Sequence, residues 1–239
     1  LTNAQRFAIA KERLMALVPV TEENQPASDL VGMMKGMVKG VLFGKNYQVA
    51  GLSQISSGLI ELNFVEAKLK TLDQVRGIPC DILNAKNANI QSLEPLRGLH
   101  LSKLYLGGNR ISDLLPLRGM ALVELDLSFG GSTFSDLSPL AGMPLRNLNL
   151  LYCPNVSDVS PLHGMPLEDL DLYGTAVTDL GPLAGMPLRS LDIGGTALSD
   201  LRPLVGMPLR SLTISNMGSL SDISPLADLP LKSLVIRGS

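Results

Sequence analysis

The sequence of 239 residues has no tryptophan, only 4 % aromatic residues and a formal net charge of −2. Surfaces that bind nucleic acid are usually basic and often stack bases on aromatic rings, so nucleic acid is not an expected partner. No apolar run reaches the roughly 18 residues that a membrane-spanning helix needs, and a membrane partner is not expected either. The two cysteines are too few for a disulfide framework. They slightly favour a reducing, cytoplasmic compartment.

What the sequence has instead is an internal repeat. Proline followed by leucine returns every 21 to 23 residues, at Pro95, Pro116, Pro139, Pro161, Pro182, Pro203 and Pro225. Each copy leads into a Leu-x-x-Leu-x-Leu/Ile pattern, and two fainter copies of that pattern precede the first proline. The fourth-position leucines of the nine copies are Leu62, Leu83, Leu104, Leu125, Leu148, Leu170, Leu191, Leu212 and Leu234. Alternating apolar residues predict a short strand with one buried face. Stacked repeats of this kind bury one continuous column of leucines.

Each proline stands in an Asp-Leu-x-Pro-Leu turn or a close variant of it, as at residues 113–117 and 136–140. The aspartate side chain is placed to accept hydrogen bonds from free backbone N–H groups, and proline is tolerated in the first turn of a helix. A glycine soon after the proline ends the helix early. We therefore expect short return segments, many of them 3₁₀ turns.

These phrases resemble the leucine-rich repeat family. The phrase Ser-Asp-Leu/Val-Ser-Pro-Leu, at residues 135–140 and 157–162, is similar to the short bacterial repeats of the internalins. The 21-residue period with Gly-Met-Pro-Leu is even more similar to repeat arrays of planctomycete-type bacterial proteins, some of them linked to serine/threonine kinases. The resemblance covers about residues 59–239. It implies an α/β leucine-rich repeat solenoid, a curved right-handed superhelix of about nine strands with short helical or 3₁₀ turns.

Residues 1–58 do not repeat, and we expect them to form a helical cap on the array of residues 59–239. Apolar residues at helical spacing predict a helix over residues 3–18, and Asp29 is placed to begin a second one near residues 30–42. Residues 47–51 and 59–64 are expected to pair as a hairpin. An alternative role for the second helix is a basic, methionine-rich surface that binds a membrane or a partner helix. Because the first residue is leucine, we expect a processed chain or a piece of a larger protein.

The inner face of the array is the candidate binding surface, because residues beside each fourth-position leucine point away from the core. The predicted partner-binding residues are Tyr105, Glu124, Asp126, Phe129, Asn149, Tyr152, Asp169, Asp171, Tyr173 and Asp192. Carboxylates on neighbouring strands lie about 5 Å apart and repel each other. Aromatic residues flanked by charge are typical of binding surfaces. A basic peptide or a basic protein surface is the expected partner.

Two other interpretations of these carboxylates stay open. The first is that these residues have no partner, because any parallel sheet needs polar side chains where it faces water, and Asp and Asn are ordinary choices there. A divalent cation held by Asp126, Asp171 and Asp192 is the second alternative, although one ligand per repeat is poor geometry for a single ion.

Motifs of common enzyme classes are missing from the sequence. It has no phosphate-binding loop, no Gly-x-Ser-x-Gly, no His-Glu-x-x-His and no kinase signature. His100 and His163 lie about three repeats apart, too far to share a metal. We therefore predict a non-enzymatic protein-interaction module without cofactor or metal. The alternatives are a regulatory or sensor domain of a larger enzyme, such as a bacterial serine/threonine kinase, and a homodimer that assembles through the C-terminal edge.

Overall fold

The computed structural model describes residues 1–16, 51–54, 59–67, 69, 71–130 and 133–238. Within these residues, one helix, α1 (Asn3–Ala16), precedes ten strands that form one open sheet in sequence order. The strands are β1 (Gly51–Gln54), β2 (Ile60–Asn63), β3 (Ile82–Asn84), β4 (Lys103–Tyr105), β5 (Glu124–Asp126), β6 (Asn147–Asn149), β7 (Asp169–Asp171), β8 (Ser190–Asp192), β9 (Ser211–Ser215) and β10 (Ser233–Arg237).

The leucine column predicted from the repeat is confirmed by the strand register. Strands β2 to β10 are parallel, and each fourth-position leucine lies opposite its counterpart in the next strand, as Leu62 does opposite Leu83. These central leucines are at most 3 % exposed in β2 to β9. Each contributes about 1.5–3 kcal/mol of transfer free energy to the core. In β10 the same position, Leu234, is 42 % exposed.

The return segments are 3₁₀ turns, as predicted. They span Asp73–Val75, Glu94–Leu96, Leu115–Leu117, Ser138–Leu140, Ser160–Leu162, Gly181–Leu183, Arg202–Leu204 and Ser224–Leu226. The capping role of the aspartate is also confirmed. Asp113 Oδ1 accepts a hydrogen bond from the backbone N–H of Leu115 at 2.7 Å, and the aspartates at the same place in five further repeats do the same.

Helix α1 packs on the first repeats. Ala10 is fully buried in the core, and the Arg6 guanidinium forms a 2.8 Å ion pair with Asp81. The other oxygen of Asp81 accepts from the backbone N–H of Ile60 at 2.9 Å. The helix is therefore tied to both β2 and β3. The predicted linker and the predicted second helix near residues 30–42 lie outside the described residues.

A hairpin is present before the array. Strand β1 covers residues 51–54 and pairs antiparallel with β2, which places Gly51 opposite Asn63 and Gln54 opposite Ile60. Residues 47–50 of the predicted first strand lie outside the described residues. The hairpin gives β2 a neighbour on the edge that faces away from the array, and an unpaired edge is an aggregation risk.

Both cysteines, Cys80 and Cys153, are buried. Cys153 is 2 % exposed, and its thiol donates a 3.3 Å hydrogen bond to the carbonyl of Leu127. It is the fifth residue after a central leucine, a place where Asn109 and Thr175 also turn inward. Burial raises the pKa of the Cys153 thiol to about 11, so at neutral pH the thiol is protonated and a weak nucleophile.

Candidate functional site

Side chains beside the central leucines line a groove of about 400 Å³ on the inner face of the sheet. The polar and aromatic residues that line it are Tyr105, Glu124, Asp126, Asn147, Asn149, Asp169, Asp171, Ser190, Asp192 and Thr213. The structure thus brings seven of the predicted site residues together in one groove. The other three, Phe129, Tyr152 and Tyr173, lie just past the ends of strands β5, β6 and β7.

In six repeats the residue that follows the central leucine is an aspartate or asparagine with a structural role at the end of its strand. Asp171 Oδ1 accepts from the backbone N–H of Tyr173 at 2.9 Å. Asn149 Oδ1 accepts from the backbone N–H of Leu151 at the same distance. The same bond recurs at Asp126 and Asp192. Because an amide oxygen serves this turn as well as a carboxylate does, the turn does not explain why some repeats carry a negative charge.

Near β4 and β5 the carboxylates are neutralised, and we call Lys86, Lys103, Tyr105, Glu124 and Asp126 the paired half of the inner face. Lys103 Nζ lies 2.5 Å from Glu124 Oε1, and the Tyr105 hydroxyl donates to Glu124 Oε2 at 2.5 Å. Lys86 Nζ lies 2.6 Å from Asp126 Oδ2 and 5.5 Å from the centre of the Tyr105 ring. Burial opposes ionisation of Glu124, but the hydrogen bonds from Lys103 and Tyr105 hold its pKa below the ordinary value.

Further along the groove lie Asp169, Asp171 and Asp192, which we call the open half. Among the described residues, no lysine or arginine forms a salt bridge with any of the three. Asp169 accepts a 3.0 Å hydrogen bond from the amide of Asn147. Burial, and then repulsion from Asp192, raises the pKa of Asp171, and burial also raises the pKa of Asp192. A cation that entered this half would favour the ionised carboxylates and lower both pKa values.

Arg146 and Arg189, which flank the groove, form their ion pairs with a residue outside the open half. Arg146 and Arg189 both pair with Glu168, which lies between them on the strand-entry side. The Arg189 Nε atom is 3.3 Å from Glu168 Oε2. These exposed pairs hold the flanking positive charges beside the groove rather than inside it.

Phe129, Tyr152 and Tyr173 form a continuous row of rings that we call the aromatic shelf. The ring centres of Phe129 and Tyr152 are 5.3 Å apart, and those of Tyr152 and Tyr173 are 5.2 Å apart. Phe129 is 53 % exposed and Tyr152 is 47 % exposed. The shelf therefore presents a large apolar surface directly beside the open half.

Two shelf residues occupy a strained backbone position. The fourth residue after a central leucine has a positive φ in eight repeats, at Glu66, Asn87, Gly108, Phe129, Tyr152, Gly174, Gly195 and Asn216. Glycine and asparagine suit this conformation, whereas a bulky side chain costs about 1–2 kcal/mol there. Phe129 and Tyr152 adopt φ values of 53° and 54°. Their aromatic side chains are thus present at the expense of local backbone stability.

Sequence reasoning found the residues of the groove but missed how their charges are balanced. Lys103 belongs to the row before the central leucines, so its position was visible in the repeat alignment. Lys86 lies three residues past Leu83, and only the structure shows that its side chain returns to Asp126. The strained position was visible as a column rich in glycine and asparagine that two aromatic residues interrupt.

Metal binding by the inner-face aspartates finds no support in the structure. The part of the chain that the structure describes holds no group of three or more histidine, cysteine, aspartate or glutamate side chains placed to bind one ion. His163 instead contacts the carbonyl of Pro182 through Nδ1 at 3.0 Å. None of the described helices is long and apolar enough to cross a membrane.

Parallel in-register strands, a leucine column and 3₁₀ turns define a leucine-rich repeat solenoid, and the chain is a leucine-rich repeat protein. It is similar to internalin C2 of Listeria monocytogenes, with 29 % identity and a TM-score of 0.65 over 75 % of this chain and 81 % of that chain. Another internalin of the same organism, inlF, shares the fold at 24 % identity, with a TM-score of 0.56 over 92 % of this chain and 80 % of that one. No family model and no curated protein matches the chain. The internalin-like fold is confirmed, and the likeness to planctomycete arrays stays a prediction.

Proposed function

We propose that this protein is a non-enzymatic interaction module whose inner face, from Tyr105 to Asp192, binds a positively charged segment of a partner protein. The observation that carries the proposal is the open half, where Asp169, Asp171 and Asp192 share one groove without a cation from the described residues. A basic segment supplies the missing charge and excludes water from the groove, and electrostatic complementarity of this kind steers and orients a partner. The internalin-like fold supports an interaction module.

A non-enzymatic role agrees with the chemistry of the described residues. Both cysteines are buried, with pKa values of about 12 for Cys80 and about 11 for Cys153, so neither supplies a thiolate at neutral pH. The groove carboxylates have no histidine beside them among its lining residues. The groove offers charge and surface, which suit binding.

The test compares capture of proteins from a lysate of the source cell by the native protein and by a triple variant, Asp169→Asn, Asp171→Asn and Asp192→Asn. Asparagine keeps the strand-end hydrogen bond at positions 171 and 192, as Asn149 shows, and Asn147 already occupies the position equivalent to Asp169 on the neighbouring strand, so the variant removes only charge. The matched control removes three charges from the 3₁₀ turns, with Asp158→Asn, Asp179→Asn and Asp200→Asn. We expect the native protein and the control to capture the same basic protein, and the triple variant to lose it.

Binding should also weaken as salt is added, because the attraction is between exposed charges. Capture of the same proteins by all three forms would contradict the proposal. Capture by none of them would contradict it as well.

Self-association through the C-terminal edge is a second candidate function. Leu234 and Ile236 of β10 are 42 % and 54 % exposed, whereas the equivalent residues of β9 are buried. Two such edges that met would bury these side chains. Light scattering over a range of concentrations tests this candidate: growth in mass that Leu234→Lys abolishes supports it, and a constant monomer mass excludes it.

We also propose that residues 1–58 act as the cap of the array formed by residues 59–239. The contact of α1 with the first repeats supports this division, because Arg6 and Ala10 both engage the array. Solenoids need such caps at their ends. Deletion of residues 1–16 should make the array aggregate, which analytical size-exclusion chromatography measures.

A further inference from the structure

The aromatic shelf is held in place by the repeats that follow it. A Cβ atom at Gly174 would lie 2.9 Å from Cδ1 of Tyr152, and a Cβ atom at Gly194 would lie 2.8 Å from Cδ2 of Tyr173. Each tyrosine ring therefore rests on a glycine of the next repeat, where any larger residue would displace it. Asn216 also donates a 3.1 Å hydrogen bond to the Tyr173 hydroxyl. The exposed rings are fixed before any partner arrives, which lowers the entropy cost of binding.

The shelf and the open half meet at the end of strand β7. Asp171 accepts from the backbone N–H of Tyr173, so this carboxylate and this ring stand two residues apart on one tight turn. Asp192 lies opposite Asp171 on the neighbouring strand. A partner group at this corner therefore meets an aromatic surface on one side and carboxylates on the other.

One common side chain can bind both to the aromatic rings and to the carboxylates at this corner. An arginine guanidinium is planar, stacks on aromatic rings, donates up to five hydrogen bonds in a fixed plane and is weakly hydrated. A lysine ammonium carries the same charge but is compact, more strongly hydrated and unable to stack. A neutral aromatic or proline-rich segment would use the rings and leave the carboxylates without a cation.

We infer that the partner segment anchors itself with an arginine side chain, whose guanidinium stacks on one ring of the edge-to-face pair Tyr152 and Tyr173 and donates hydrogen bonds to Asp171 and Asp192. The inference rests on the proposed function, because it names the group that occupies one corner of the same groove. Phe129 extends the shelf towards the residues that flank this arginine in the partner.

The experiment uses two synthetic probes of equal charge, hexa-arginine and hexa-lysine, titrated calorimetrically into the native protein. We expect hexa-arginine to bind about tenfold more tightly, the scale of one desolvated cation–π contact. The protein has four tyrosines and no tryptophan, so a change in tyrosine fluorescence should accompany binding of the arginine probe.

The decisive variant combines Tyr152→Asn with Tyr173→Ser, residues that the chain itself uses at the same places as Asn87 and Ser128. We expect it to remain folded, to bind hexa-lysine as the native protein does, and to lose the arginine preference. The matched control is Glu66→Asn, at a positive-φ position outside the shelf, and it should keep the preference.

The outcomes separate this inference from the proposed function. Equal affinities for the two probes in the native protein, or an arginine preference that survives the shelf variant, would overturn the inference. If both probes still bind and the Asp171→Asn, Asp192→Asn variant weakens them, the basic-partner proposal stands without it. If neither probe binds, both are overturned.

Discussion

The paired and open halves of the inner face share one strand register but treat charge in opposite ways. In the paired half each carboxylate has a lysine, as Asp126 has Lys86 at 2.6 Å. In the open half Asp171 and Asp192 face each other across neighbouring strands, and no salt bridge within the described residues relieves them. The fold accepts an amide at the same place, since Asn149 makes the same turn. The negative charge of the open half is therefore not required by the strand end, which favours a role in binding.

The largest expected effect comes from the residue that ties the repeat of β4, in the paired half, to the repeat before it. The amide of Asn109 donates to the carbonyls of Ala85 and Leu106 at 2.7 Å and accepts from the N–H of Ile90 at 2.8 Å. Asn109→Ala leaves these buried groups unpaired and should lower the free energy of unfolding by about 2–4 kcal/mol. Urea denaturation measures it.

The matched substitution in the repeat of β7, in the open half, is Thr175→Ala. The Thr175 hydroxyl donates a hydrogen bond to the carbonyl of Leu172 at 2.7 Å. Its loss should cost about 1 kcal/mol. If both variants lost the same free energy of unfolding, the side chains at this position would stabilise the two repeats equally. The contrast between the two regions would then be wrong.

Lys86→Met removes the lysine that neutralises Asp126 in the paired half and leaves the pair of Lys103 and Glu124 in place. Asp126 is 7 % exposed, and removal of its cation leaves a charge with little access to water. Because Lys86 itself is partly solvated, we expect a loss of about 1–2 kcal/mol in urea denaturation. Adding Asp126→Asn should restore most of the stability, since asparagine still accepts from Ser128. Arg146→Met, which breaks an exposed pair, should cost less than about 0.5 kcal/mol.

Asp171→Asn with Asp192→Asn should stabilise the protein at neutral pH by about 0.5 kcal/mol, because like charges on neighbouring strands are removed. The pKa of each carboxyl is raised above 3.8 in the folded state, so protonation favours folding as the pH falls. The advantage of the variant should therefore shrink as the pH falls through the raised pKa values, and disappear below about pH 4. An advantage that persists at low pH would contradict this explanation.

The native protein and the variant must be compared at each pH, because the capping aspartates change stability with pH in the opposite direction. Hydrogen bonds at the 3₁₀ turns hold the pKa values of Asp136, Asp158, Asp200 and Asp222 below the ordinary value. Their contribution to stability is lost as the pH falls, in the native protein and the variant alike. The difference between the two unfolding curves isolates the open half.

The fold was predictable because its determinants are local and repeated. The period, the paired leucines and the Asp-Leu-x-Pro-Leu turns each recur in many copies, so the column at Leu62 to Leu212 and the 3₁₀ turns follow from spacing. The burial of Cys153 also follows from spacing, because Cys153 aligns with Asn109 two repeats earlier. Only an alignment of every column, including those without leucine, predicts it.

The candidate site was predictable only as a set of positions. The row of carboxylates follows from alternation along the strands, but its division into two halves depends on where the long side chain of Lys86 ends. The strain at Phe129 and Tyr152 depends on backbone dihedrals, which the repeat pattern encodes only through the preference for glycine and asparagine in the other copies. Such exceptions within a repeat column mark the residues that the fold alone does not explain.

The smallest expected effect concerns Phe129→Asn. Loss of the ring contact with Tyr152 costs about 0.5–1.5 kcal/mol, and relief of the strained φ of 53° returns about as much. Thermal and urea unfolding should therefore show little net change, whereas Gly195→Ala, which adds a side chain at the same column, should cost about 1 kcal/mol. A loss above about 2 kcal/mol in the free energy of unfolding of Phe129→Asn would mean that the ring stabilises the fold by packing. An unchanged stability would leave binding as the reason for an aromatic side chain at a position that suits glycine.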